Sequence, residues 1–139
     1  SNVKFASVAD MKAAGAAASG ITYELENPVL LTYIEVGSEY DWNTYEEIEV
    51  KRLYVQDATG AMRISLDAEA TAACTLAVGD SVVGLKGIFD SYNKGITISA
   101  VNATYTVKNS GNAVVNGKPF GFNIGYDLFK CHHIILLCK

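Results

Sequence analysis

Proline is nearly missing from these 139 residues, with only two present. No stretch is dominated by glycine or serine either, so a long flexible linker is excluded and one domain with a short appendage is expected. Cysteine is scarce and odd in number: the three are Cys74, Cys131 and Cys138. That count is not a disulfide framework. Cys131 and Cys138 can pair if a turn separates them, and Cys74, in an alanine-rich stretch, reads as a small buried apolar residue. The redox compartment is left undecided. Charged residues make up only 19% against 50% hydrophobic, which excludes a disordered chain. No apolar run is long enough to cross a membrane, the segment Ile134 to Cys138 included. Ser1 to Phe5 lacks the apolar region of a secretory signal. Positive charge is the last shortage. Residues 21–107 hold five basic side chains against thirteen acidic ones, a net −8. Such a body repels a phosphate backbone, because non-specific nucleic-acid affinity comes from phosphate neutralisation.

What is present reads as a β protein. Ser7-Val8-Ala9-Asp10 has the form of a capping box, and Val8, Met11, Ala14 and Ala18 share one helical face. This predicts a helix over 8–18, stopped near Gly20, with Gly15 as an internal weak point. From Ile21 the period becomes two, as in a strand. Asn27-Pro28 interrupts it, and the run resumes over Val29 to Val36. Gly37 to Thr44 reads as a loop rich in acids and aromatics. Tyr45 to Gln56 is a second strand, and its apolar parity switches between Ile48/Val50 and Leu53/Val55. That switch predicts a bulge near Lys51-Arg52. Asp57-Ala58-Thr59-Gly60 is a turn, and Met62, Ile64 and Leu66 alternate inward on a third strand. Asp67 caps a short helix over 68–74. A fourth strand runs from Ser81 to Phe89, and a fifth begins after Asn93-Lys94-Gly95 and continues through Ala103, Tyr105 and Val107 after a second parity change. Asn116-Gly117 can turn a small hairpin, and Cys131 to Lys139 is an apolar tail without clear periodicity. No internal repeat is found.

Five strands with a short helix between the third and fourth is the order of an OB-fold Greek-key barrel. The expected organisation is therefore an N-terminal helix over 1–20 packing on a barrel over 21–107, followed by an extension over 108–139. Two segments sharpen this expectation: Tyr54-Val55-Gln56-Asp57-Ala58-Thr59-Gly60 and Leu76-Ala77-Val78-Gly79-Asp80. They resemble the OB-fold-like domains of uncharacterised secreted proteins and lipoproteins of Bacteroidetes-type bacteria. The resemblance covers about 21–107. It implies an exported protein, periplasmic or at the cell surface, anchored by lipid through an upstream segment. Asp57, Gly60, Gly79 and Asp80 read as structural residues, since an aspartate can accept from backbone groups two or three positions on and glycine admits positive φ.

OB barrels bind on the face of their second and third strands, between two loops. That rule selects Arg52, Tyr54 and Arg63 on the face, Tyr40, Trp42 and Tyr45 in the first loop, and Tyr92 with Lys94 in the second. The rings can stack on sugars or bases, and Tyr and Trp also carry an orienting donor. The bland alternative packs Trp42 and the tyrosines against the barrel. Arg52 and Arg63 can equally pair with Glu47 or Glu49 across the strands. Glu39, Asp41, Glu46 and Glu47 are oxygen donors, but lack the ligand ladder of a calcium loop. They lie on one loop and so do not flank a bond as a glycosidase pair does. Cys131, His132, His133 and Cys138 are zinc-type ligands without zinc-finger spacing. No phosphate loop, nucleophile elbow or triad spacing occurs. The sequence thus points to a non-enzymatic binding module of the cell envelope that contacts carbohydrate or protein and uses no cofactor or metal. The alternatives are single-stranded nucleic-acid binding, which the acidic body disfavours, and assembly of copies through the apolar tail.

Overall fold

The computed structural model describes residues 1–114. The expected hairpin after Ala113, the tail, and any Cys131–Cys138 pairing lie outside the described residues. The chain is mostly β, as its period-two segments require. Nine strands form one mixed sheet that curls into a half-barrel. In chain order they are β1 (Asn2–Phe5), β2 (Thr22–Leu25), β3 (Val29–Asp41), β4 (Glu46–Asp57), β5 (Gly60–Leu66), β6 (Ser81–Val83), β7 (Lys86–Asp90), β8 (Gly95–Ile98) and β9 (Thr106–Asn109). Across the sheet the order is β1-β2-β7-β8-β5-β4-β3-β6-β9. Helix α1 (Val8–Ala14) joins β1 to its parallel neighbour β2, and α2 (Ala68–Ala73) joins β5 to β6.

Both helices start where their caps dictate. Ser7 Oγ accepts from the Asp10 N–H at 3.2 Å, and Asp67 Oδ1 accepts from the Ala70 N–H at 2.8 Å. Helix α1 is shorter than the predicted 8–18. Gly15 turns out of it at φ 69, with its N–H donating to the Lys12 carbonyl, so the alanines beyond it are not helical. Its buried face is small but fully used: Val8 and Met11 are both completely buried. Each contributes about 1.5–3 kcal/mol of apolar burial. They join a core of Leu31, Leu53, Val55, Met62, Ile64, Leu85, Ile96 and Ile98.

The strand plan differs from expectation in five places. Residues Asn2–Phe5 form a strand beside β2, not part of a purely helical N-terminal segment. The segment 37–44 is not a loop: β3 runs on to Asp41 and pairs with β4 from Glu46, so the two make one long hairpin. The bulge is on β3 and not at Lys51-Arg52. Register shifts between Leu31 and Tyr33, where buried Thr32 is inserted and its Oγ1 donates to the Tyr54 carbonyl at 3.1 Å. The predicted fourth strand is two, β6 and β7, divided at Gly84, whose φ of 82 favours glycine. The predicted fifth ends at Ile98; a 3-10 turn over Ala100–Asn102 follows, and β9 pairs with β6.

The two sequence signatures now have a mechanical meaning. Asp57 Oδ1 accepts from the N–H and the hydroxyl of Thr59 and from the Gly60 N–H, at 2.8, 2.6 and 3.1 Å. Its other oxygen accepts from the Val8 N–H at 2.9 Å, and Thr59 Oγ1 accepts from the Ala9 N–H at 3.0 Å. The β4–β5 turn is thus also the cap that docks the first turn of α1. Asp80, itself buried, accepts from the Ala77 N–H through Oδ2 at 2.9 Å. Its carbonyl accepts from the Leu31 N–H, and the Gly79 N–H donates to the Leu31 carbonyl. The opener therefore fastens the start of β6 to β3 just beside the bulge.

Candidate functional site

From Val36 to Asp41 and from Glu46 to Val50, β3 and β4 pair with each other; among the described residues no other strand pairs with these stretches. They form a two-stranded arm that extends past the sheet. Ile34, opposite Leu53, packs on the core, so Val36, Ser38 and Tyr40 continue that same face outward, beside their partners Lys51, Glu49 and Glu47. Val36 is 59% exposed and Tyr40 44%.

The tip is a tight turn built on Asp41. Its Oδ1 accepts from the Asn43 N–H at 2.8 Å, and its carbonyl accepts from the Tyr45 N–H at 2.7 Å. Tyr45 adopts φ 60, a left-handed conformation that disfavours a large side chain. The rings are turned outward: Trp42 is 75% exposed and Tyr45 72%. Trp42 meets Tyr40 edge to face at 4.5 Å between centroids. The structure thus brings Tyr40, Trp42 and Tyr45 together on an open surface. Packing against the barrel, the bland alternative, does not account for such exposure.

The other predicted residues separate into two further places. Tyr54 lies on the outer face of the sheet between Tyr33 and Arg63, its cross-strand partners. It is buried, its ring contacts Tyr33 at 5.8 Å, and its hydroxyl donates to Glu35 Oε1 at 3.0 Å. Its ring is therefore a wall of this face and not an open platform. Arg52 stands opposite Glu35, and its guanidinium lies over Gly37, where a Cβ would come within 2.8 Å of Nη1. Glu47 and Glu49 face Tyr40 and Ser38, so they are not the cross-strand partners of Arg52 and Arg63. Tyr33 and Glu35 also stand on this face and carry no sign of it in the sequence, since the inserted Thr32 is what turns them there.

Tyr92 and Lys94 sit in the β7–β8 turn. Strand β8 runs parallel to β5, which climbs from the β4–β5 turn toward the arm. The β7–β8 turn therefore lies at the end of the strands away from Trp42. It repeats the construction of the arm's tip. Asp90 Oδ1 accepts from the Tyr92 N–H at 2.9 Å, its carbonyl accepts from the Lys94 N–H at 2.7 Å, and Lys94 has φ 55. Tyr92 is 71% exposed.

Other groups are less open to a ligand. A depression of about 560 Å³ near the β4–β5 turn is lined by Pro28, Leu30, Gln56, Asp57, Asn109 and Asn112, and Asp57 there is already bonded as described. Among the described residues, no three His, Cys, Asp or Glu side chains converge to hold a metal ion. No helix among them is long and apolar enough to cross a membrane. Tyr105 packs against the core, and its hydroxyl is pushed up to about 12, first by burial and then by the neighbouring Cys74, whose charge and hydrogen bond both hold the proton. A tyrosine that keeps its proton longer in the folded state contributes stability below the unfolded value near 10, and this is lost as pH rises toward 12. Tyr105→Phe is accordingly expected to flatten the fall in stability between those two values. Denaturant titrations across that pH window check this, and an unchanged slope would rule it out.

Comparison with known proteins adds no relative: no family model, no curated protein and no solved structure matches the chain.

Proposed function

We propose that this chain is a non-enzymatic OB-fold binding module of the cell envelope, and that it contacts carbohydrate or protein through the aromatic end of the β3–β4 arm. The observation that carries the reading is the outward exposure of Tyr40, Trp42 and Tyr45 together on one arm. Burying those rings against a ligand is the favourable step that the fold itself leaves undone. The OB-fold reading is supported by the β3-β4-β5 meander, α2 after β5, the parallel β5–β8 pair, and the β3–β6 pair. In that reading β6 and β7 are one stave bent at Gly84. The export and lipid-anchor assignment rests on the sequence resemblance at 54–60 and 76–80. Single-stranded nucleic acid is the weaker alternative, because acids surround the rings.

The test is a glycan array and a pull-down from envelope extract, with wild type and Trp42→Ala side by side. Trp42→Ala should weaken capture about thirtyfold, the loss typical of a hot-spot aromatic worth ~2 kcal/mol. Its melting temperature should stay within a degree or two, because the ring is three-quarters exposed. Equal capture by both proteins, or none by either, would count against the arm as a contact surface.

A further inference from the structure

The rings of the arm stand in a field of one sign. Between Glu35 and Glu49 there are six carboxylates, Glu35, Glu39, Asp41, Glu46, Glu47 and Glu49, and no Lys, Arg or His. Four of them, Glu39, Glu46, Glu47 and Glu49, are exposed. A neutral sugar stacking on Trp42 can donate hydroxyls to these carboxylates but leaves their net charge unmatched, and an anionic ligand is repelled by it. A cationic ligand gains twice, from the carboxylates and from the negative faces of the rings.

The shape adds a second restriction. The face that continues the core carries Val36, Tyr40 and Trp42 in line, with Lys51 beside Val36 at its base and Glu49 and Glu47 beside Ser38 and Tyr40 toward the tip. The backbone edges of the arm are unpaired among the described residues. An extended chain can pair with such an edge while alternate side chains lie on alternate faces. Resting on the binding reading given above, we propose that the arm docks an extended cationic segment of a partner protein, in which lysine or arginine alternates with apolar residues. The apolar side chains lie against Val36, Tyr40 and Trp42. The basic ones fall on the opposite face, where Glu39 and Glu46 stand exposed.

Trp42 is the one tryptophan of the chain, so its emission reports on this surface alone. The experiment titrates the full chain with a short peptide of alternating lysine and valine, with its glutamate–valine counterpart, and with neutral oligosaccharides. The lysine peptide should shift Trp42 emission saturably, and its affinity should fall about tenfold between low and physiological salt. Glu39→Gln with Glu46→Gln should weaken it about fivefold, the effect of removing two exposed ion pairs, with an unchanged circular dichroism spectrum. Equal binding of the glutamate peptide, or no effect of salt, overturns the proposal. Binding of an oligosaccharide but not of the lysine peptide overturns it while leaving the arm a contact surface. No response to any probe, together with silent Trp42→Ala in the capture assays, removes both readings.

Discussion

Gly95→Ala is expected to destabilise the fold by about 3 kcal/mol, the upper end of overpacking costs, and to lower the melting temperature by about 10 °C. Gly95 opens β8 and is buried beside β5. A Cβ at this position would run into the carbonyl of Arg63, and the next atoms it meets, the Arg63 carbonyl carbon and nitrogen, are backbone too. A side chain can rotate away from an intruding methyl. A strand carbonyl cannot, because Arg63 is held in register against Tyr54 on its other side. The parallel β5–β8 contact must therefore open. Gly20→Ala is the useful control: its φ of 86 is itself unsuited to alanine, but nothing lies within 4 Å of its Cβ. It should cost only the ~1 kcal/mol of a left-handed residue. Melts of the two variants decide the matter, and equal losses would mean that β8 does not approach β5 as described.

Asp57→Ala is expected to cost about 3 kcal/mol, because one carboxylate accepts four hydrogen bonds. The loss is not confined to the turn. Val8 N–H loses its acceptor, and Thr59 loses the bond that orients its hydroxyl toward the Ala9 N–H. Helix α1 should therefore loosen although no residue of it is changed. Asp57→Asn keeps one carbonyl oxygen for the turn but presents an amide to Val8, and should recover about half the loss. Hydrogen exchange locates the effect. Faster exchange at Val8 to Met11 in Asp57→Ala is the expected signature, and α1 protection equal to wild type would show that the turn and the helix are independent.

How much of this was legible in the sequence depended on range. The Asp57 turn, the Asp67 cap and the Ser7 cap are local devices, since an aspartate or serine and the N–H groups it receives lie within three residues of one another. The second role of Asp57, reaching α1 forty-nine residues away, leaves no mark in the local pattern. The arm reads as a loop because both its faces are largely wet. A strand with no dry side shows no alternation of apolar and polar residues, and Ser38, Glu39 and Tyr40 gave none. The apolar pattern places the bulge on the wrong strand for a related reason. Val50 and Tyr54 are buried on the outer face while Leu53 and Val55 fill the core, so β4 has two apolar faces. A register that never breaks on β4 then looks like a slip. Of the candidate site, Tyr40, Trp42 and Tyr45 were legible as a group because they are neighbours in sequence. The separation of Tyr92 from them follows only from the parallel sense of β8.

The division of 81–90 at Gly84 also bears on the order of assembly. The meander β3-β4-β5 joins neighbours in the chain through short turns and can form early. The segment beyond Asp80 must find β3 and β2 with β8, in pairings such as Val29 with Val82 and Tyr23 with Gly87. Those closures span long stretches of chain, so the entropy of bringing them together is met before any contact rewards it. The bent segment is therefore expected to pair last, after the meander has formed.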